Sequence, residues 1–326
     1  MSKKLDRVPF LQENLVAETL PRMHLVPLVG SGCVDVDGDA PDMFTERLMQ
    51  VRLTRFWSKF GSRGHSEYDP TEAERRYEKF CTEYLPSLPP AFALAPQTKW
   101  DKSLPKIPMQ RHLLHICIFD SICMNFRPLL LLSPSQIAGL APYKQVLLRS
   151  QMQLLATAAL KELETISALH SMFNNCHTRF GVIIFNTFEA SVLLVAVCKN
   201  ADFFGGQDDN PGQFLGLETG RLTRKRLMQA AMKGLDRLKN LAEVSEIASS
   251  GARTLSQLFT NALRDGEAVS NIGFDYDLEF STSFDDFDSS LMTDQLLNMA
   301  GEDPFSCIHL SSSESVSNSL WANLLD

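Results

Sequence analysis

Residues 109–126 read Met109-Gln-Arg-His-Leu-Leu-His-Ile-Cys-Ile-Phe-Asp-Ser-Ile-Cys-Met-Asn-Phe126. Leu113, Leu114, Ile116, Ile118, Phe119, Ile122 and Phe126 leave almost no polar face at helical spacing. A helix that is apolar nearly all round belongs at the centre of a bundle, where other helices cover it. Pro128 bends or ends it.

The rest of the chain supplies those covering helices. Downstream, helical runs are predicted at about 143–174 and 179–199, followed by a Gly-rich break at 205–216. A charged helix at about 221–248 and a short one at 254–263 come next. Upstream, Phe44, Leu48, Met49, Val51, Phe56 and Phe60 follow helical spacing from Met43 to a stop at Gly61. A second start is marked by Asp69 as cap, Pro70 in the first position, and Glu72 and Glu74 in the first turn. It should end by Leu85-Pro86, with Pro86, Pro89, Pro90 and Pro96 forming an extended connector to about Pro108. Residues 1–42 are irregular, punctuated by Pro9, Pro21, Pro27, Gly30, Gly32, Gly38 and Pro41. No strand alternation persists and no repeat occurs. The fold class is all-α, a helical bundle.

Phe180–Cys198 is a run of 19 mostly apolar residues, long enough to raise the question of a membrane. Its large apolar side chains favour insertion by roughly 3–7 kcal/mol, whereas Glu189 near its centre costs about 3 kcal/mol and Asn186 adds more. The sum is near zero, and the expectation is a buried core helix with no membrane partner.

Charge divides the chain. The net charge is −8, yet residues 265–326 hold 13 Asp/Glu and no Lys or Arg. That leaves 31 basic and 39 − 13 = 26 acidic residues in 1–264, a balance of +5. Aromatic residues are threaded through the acid, in Phe274-Asp-Tyr276-Asp-Leu-Glu-Phe280 and Phe284-Asp-Asp-Phe287-Asp. Mutually repelling carboxylates keep such a segment open while its rings remain available to a partner groove. The reading is a mostly disordered acidic tail, with room for short helices at 291–299 and 317–325. Phe274, Tyr276, Phe280, Phe284, Phe287 and Leu291 are the candidate coactivator-binding residues. Phe284, Phe287 and Leu291 share a helical face, which suits a helix formed on binding.

Seven cysteines stand at 33, 81, 117, 123, 176, 198 and 307, an odd number with no Cys-x-x-Cys. This points to free thiols in a reducing compartment. The opening Met-Ser-Lys-Lys-Leu-Asp-Arg has no apolar signal-peptide core.

Candidate chemical sites are thin. Asp35, Asp37 and Asp39 with Glu46 imitate a calcium loop, but Ala40 occupies the place of the sharp-turn glycine and Pro41 follows. His112 and His115 lie three apart near Cys117 and Asp120, yet nothing completes a set of four ligands. They read as buried or rim histidines, as does His170 near Cys176 and His177. Gly30-Ser-Gly32 lacks a third glycine, and no nucleophile elbow or phosphate loop occurs. The expectation is a non-enzyme with no cofactor and no metal. One basic cluster, Arg221, Arg224, Lys225 and Arg226, followed by Lys233, Arg237 and Lys239, is a nuclear-import candidate set against a solvated helix face.

The stretch from Val34 to Lys199 resembles the middle homology region of fungal-specific zinc-cluster transcription factors. The matching features are the acidic loop Asp35–Asp42, the helix leading into Tyr84-Leu-Pro-Ser-Leu-Pro89, and the apolar helix closing on Phe126-Arg-Pro-Leu129. Further on, Ala156-Thr-Ala-Ala159 stands where such proteins carry Cys-x-x-Ala-Ala, with Leu155 replacing the cysteine, and Phe188–Cys198 is similar to their late apolar helix. The six-cysteine cluster and the Arg-Arg-x-Trp-Trp stretch of that family are not among these residues. The resemblance therefore implies a C-terminal part of such a regulator, and no DNA-binding residue carries over.

Together these readings predict a nuclear transcription regulator in three parts: an irregular segment 1–42, a helical regulatory domain 43–264, and an acidic activation-type tail 265–326. Its partners would be coactivator or transcription machinery proteins and a homologous factor as dimer mate, with DNA reached only indirectly. The alternative is an inhibitor that pairs with a full-length zinc-cluster factor.

Overall fold

In the computed structural model, the described residues are 40–41, 43–60, 68–176, 178, 180–200, 213–218 and 221–267. They all fall in one compact unit. Eight α-helices carry it: α1 Thr45–Ser58, α2 Pro70–Lys79, α3 Ile107–Phe126, α4 Pro134–Ala138, α5 Pro142–Met172, α6 Gly181–Lys199, α7 Arg224–Leu241 and α8 Glu246–Glu267. The all-α expectation holds. Among the described residues the exception is a two-residue antiparallel pair, β1 Gln213–Phe214 with β2 Leu217–Glu218. Leu215 and Gly216 between them both take positive φ, as a tight two-residue turn requires.

The helix that is apolar on nearly all faces lies where its composition demands. α3 buries Leu114, Ile116, Ile118, Ile122 and Phe126 essentially completely, and packs chiefly on α5. α5 is 31 residues long, about 46 Å at 1.5 Å per residue. It runs between α3 and α6, and α6 in turn meets α7 and α8. α1 and α2 close the opposite side on α3 and α5.

Local signals explain several boundaries. Asp69 caps α2, accepting from the Thr71 amide at 3.1 Å, and Pro70 fills the first turn. The helix then widens into a π-type turn at Phe80–Tyr84 and tightens to a 3₁₀ turn at Leu85–Ser87, where Pro86 forbids continuation. That wide turn gathers aromatic rings: Phe80 stacks on Tyr84 with centroids 5.3 Å apart, and Phe56 and Trp57 of α1 pack on Phe80. From Arg127 a 3₁₀ turn, Arg127–Leu131, containing Pro128, replaces the helix. The short α4 has a full capping box between Ser133 and Gln136.

Three expectations needed revision. The predicted helix at 221–248 is broken after Leu241, because the Ser245 hydroxyl accepts from the Ala248 amide at 3.4 Å and starts a new helix. α8 then extends well beyond the short 254–263 segment, burying Ala248, Ala252, Leu255, Phe259 and Ala262 as one stripe. The proline-rich connector is likewise more than extended chain: Pro90–Phe92 forms a 3₁₀ turn that sinks Phe92 into the core.

Polar side chains stitch the helices together. Gln151, fully buried on α5, accepts from the Tyr68 hydroxyl at 2.8 Å and donates to Pro70 O at 2.7 Å and Glu74 Oε2 at 2.9 Å. Asn125 of α3 donates to Ala73 O at 3.0 Å and accepts from Arg76 Nε at 3.1 Å. Asn186 of α6 donates to Glu162 Oε1 of α5 at 2.8 Å.

α3 with its 3₁₀ extension and α6 are both long and apolar enough to cross a membrane, yet most of each apolar window is buried against other helices. The polar groups that argued against insertion have partners inside the bundle. Glu189 faces Arg127 Nη1 at 3.8 Å, and Asn186 binds Glu162. α6 is a core helix of this fold.

Candidate functional site

The basic cluster lies at the entry to α7. Thr223 caps the helix, its Oγ1 accepting from the Arg226 amide at 3.2 Å. Arg221 precedes the cap, and Arg224, Lys225 and Arg226 fill the first turn, which holds no acidic residue. Cations at a helix N-terminus oppose the macrodipole, so this placement gives the helix nothing. Arg221, Arg224 and Lys225 are exposed. Arg226 is half-buried, reaching Arg221 O at 3.4 Å and Glu164 Oε1 of α5 at 3.7 Å. Ion pairs as exposed as this last one contribute little. The four residues therefore form one accessible positive edge.

The following basic residues do not all extend that edge. Lys233 and Lys239 are exposed, but Arg237 turns inward, its Nη1 at 3.4 Å from Thr187 Oγ1 of α6. Burial lowers its guanidinium to about 10, which still leaves it charged at neutral pH.

The histidines are structural. His115 directs Nε2 at two backbone carbonyls of the connector, Phe92 O and Ala93 O, each at 3.1 Å. Nε2 must therefore carry the hydrogen, and burial depresses the ring to about 4. One turn back, Arg111 donates to Ala91 O at 2.7 Å and grips both oxygens of Asp101, at 3.1 and 2.7 Å. These two side chains hold the connector against α3. His112 is half-buried, and burial, then the neighbouring Arg111 charge, lowers its pKa. His170 Nε2 meets Cys176 O at 3.0 Å and closes the bend after α5, where Asn174 and Asn175 adopt positive φ. His177 lies outside the described residues. Among the described residues no group of three His, Cys, Asp or Glu side chains could hold a metal.

Glu46, counted in the calcium-like spacing, is buried in the first turn of α1 and bonded to Gln50 and Arg47. Burial, more than either partner, sets its carboxyl above the ordinary range. Asp35, Asp37 and Asp39 lie outside the described residues, as do Phe274, Tyr276, Phe280, Phe284, Phe287 and Leu291. A second basic row, Arg52 and Arg55 on α1 with Lys59 at its C-cap, escaped the sequence reading; its three- and four-residue spacing was the available signal.

No family model matches the chain, and no solved structure matches it. Two relatives do. Transcription factor xilB of Penicillium rubens is 53% identical over 271 residues, 83% of this chain and 40% of that protein. A probable transcription factor, sol4 of Alternaria solani, is 35% identical over 269 residues, 79% of this chain and 47% of that protein. The chain thus spans less than half the length of each of these relatives. Identity of this extent, over about four-fifths of the chain, makes it a homologue of proteins named as fungal transcription factors.

Proposed function

We propose that this chain is the regulatory and activating portion of a nuclear transcription regulator of the zinc-cluster class. The body, 43–264, holds the fold and makes regulatory or dimer contacts with a related factor. The tail, 265–326, engages a coactivator or the transcription machinery. Its carboxylates speed the encounter with a basic partner surface, and Phe274, Tyr276, Phe280, Phe284, Phe287 and Leu291 then bury in the partner's groove. The chain recruits and does not catalyse.

The observation that carries it is the 53% identity to a protein named as a transcription factor. The tail's composition, 13 acids without a single Lys or Arg, supports the recruiting role. The test is to fuse 265–326 to a heterologous DNA-binding domain and measure reporter output. Activation that is lost when Phe280, Phe284 and Phe287 become Ala is the expected result. A silent fusion refutes the activating tail. Co-purification of the chain with a full-length zinc-cluster factor, together with reduced reporter output, would assign it instead to inhibition of that factor.

A further inference from the structure

A groove of about 280 Å³ lies between the C-terminal half of α1 and the wide turn that ends α2, lined by Arg52, Arg55, Phe56, Lys59, Glu83, Tyr84 and Ser87. Its floor is rigid. Phe56 and Tyr84 are buried, the Tyr84 hydroxyl donates to Met49 O at 3.0 Å, and Phe80 stacks beneath the Tyr84 ring. Its charge comes from one helix face, because Arg52, Arg55 and Lys59 follow one another at one-turn spacing. Arg52 and Lys59 are exposed and form no ion pair among the described residues. Glu83 is the single carboxylate in the lining. The one acid of α1, Glu46, is buried at the far end of that helix.

Spacing decides what such a row recognises. From Arg52 to Lys59 the helix rises about 10 Å. A lone phosphate or carboxylate meets two of these cations at most. Carboxylates a helical turn apart repeat the same period, so one helix face of them spans the row from Arg52 to Lys59. A nucleic-acid duplex is convex and suits a raised basic ridge, whereas here the cations flank a hollow with an aromatic floor.

We propose that this groove docks an acidic helical segment of a partner protein, one carrying Asp or Glu at one-turn spacing. The inference goes beyond the function proposed above, where this chain supplies the acid from its own tail. Here it receives acid from elsewhere, so the two readings stand or fall separately.

The test uses the full chain and a fluorescent alanine-based peptide bearing three glutamates a turn apart, followed by anisotropy. Binding should weaken as salt rises. It should fall at least about tenfold in an Arg52→Glu/Lys59→Glu variant whose circular dichroism and melting are unchanged. Lysines in place of the peptide's glutamates should restore binding to that variant. If the double variant does not fold, Lys59→Gln alone is measured and should still weaken binding by a few-fold. Equal binding by a folded variant overturns the proposal, as does equal binding of the glutamine version of the peptide. Displacement by inorganic phosphate or duplex DNA as readily as by unlabelled peptide overturns it as well.

Discussion

Asn186 and Glu162 face each other inside the bundle, the amide of one donating to the carboxylate of the other at 2.8 Å across the α5–α6 interface. Both are buried, so neither has water to fall back on. Replacing Asn186 with Leu leaves the Glu162 acceptor one donor short and should destabilise the fold by about 1–3 kcal/mol. Glu162→Gln keeps an acceptor oxygen and should cost less. Urea unfolding of the two variants checks the order, and an equal cost would contradict it.

Helices α6 and α7 approach each other closely at Gly234. A Cβ there would stand 2.1 Å from Ser191 Oγ, a buried hydroxyl with no hydrogen-bond partner. Helix propensity alone would make Gly234→Ala stabilising by about 1 kcal/mol. The clash should reverse that sign. Ser191→Ala should be near neutral, and the double variant should recover most of the loss. A thermodynamic cycle that proves additive would refute the close contact.

His115 makes stability depend on pH. Its folded value of about 4 lies below the ordinary 6.5, so the fold favours the neutral ring. The contribution is present in full above about 6.5 and is lost as pH falls toward 4. Between pH 7 and 5 the wild type should lose about 2 kcal/mol from this group. In His115→Gln that part of the pH slope should vanish, which denaturant titrations at the two pH values will show.

Changing Arg221, Arg224, Lys225 and Arg226 together to Ala should leave melting within a degree or two, since their charges oppose the α7 dipole. A fluorescent-protein fusion of that variant should shift from nucleus to cytoplasm. Unchanged nuclear fluorescence would reduce the cluster to a solvated helix face.

The parts of the fold legible in the sequence are those whose signal is local. α3 and α6 announce themselves because few of their faces could tolerate water, and Asp69-Pro70 fixes the start of α2 by cap chemistry. The break at Ser245 is harder to see, because Leu241 and Ala248 continue a helical period across it. The connector's shape was hidden for another reason: Arg111 and His115 hold it through backbone carbonyls 20 and 23 residues away. Such bonds leave no mark in the connector's own letters. At the basic edge, composition identified Arg221 to Arg226, but the inward turn of Arg237 depends on Thr187 of a different helix. The row Arg52, Arg55 and Lys59 becomes a groove only when the turn after α2 is set beside it.

The grip of α3 on residues 91–97 has an evolutionary corollary. Arg111 and His115 hold main-chain oxygens of Ala91, Phe92, Ala93 and Gln97, atoms that every amino acid supplies. Apart from the buried Ala91 and Phe92, and Asp101 beyond them, the spelling of that loop is free to drift between species with its path preserved. The two α3 side chains have no such latitude, and a lineage that lost them would have to invent another anchor.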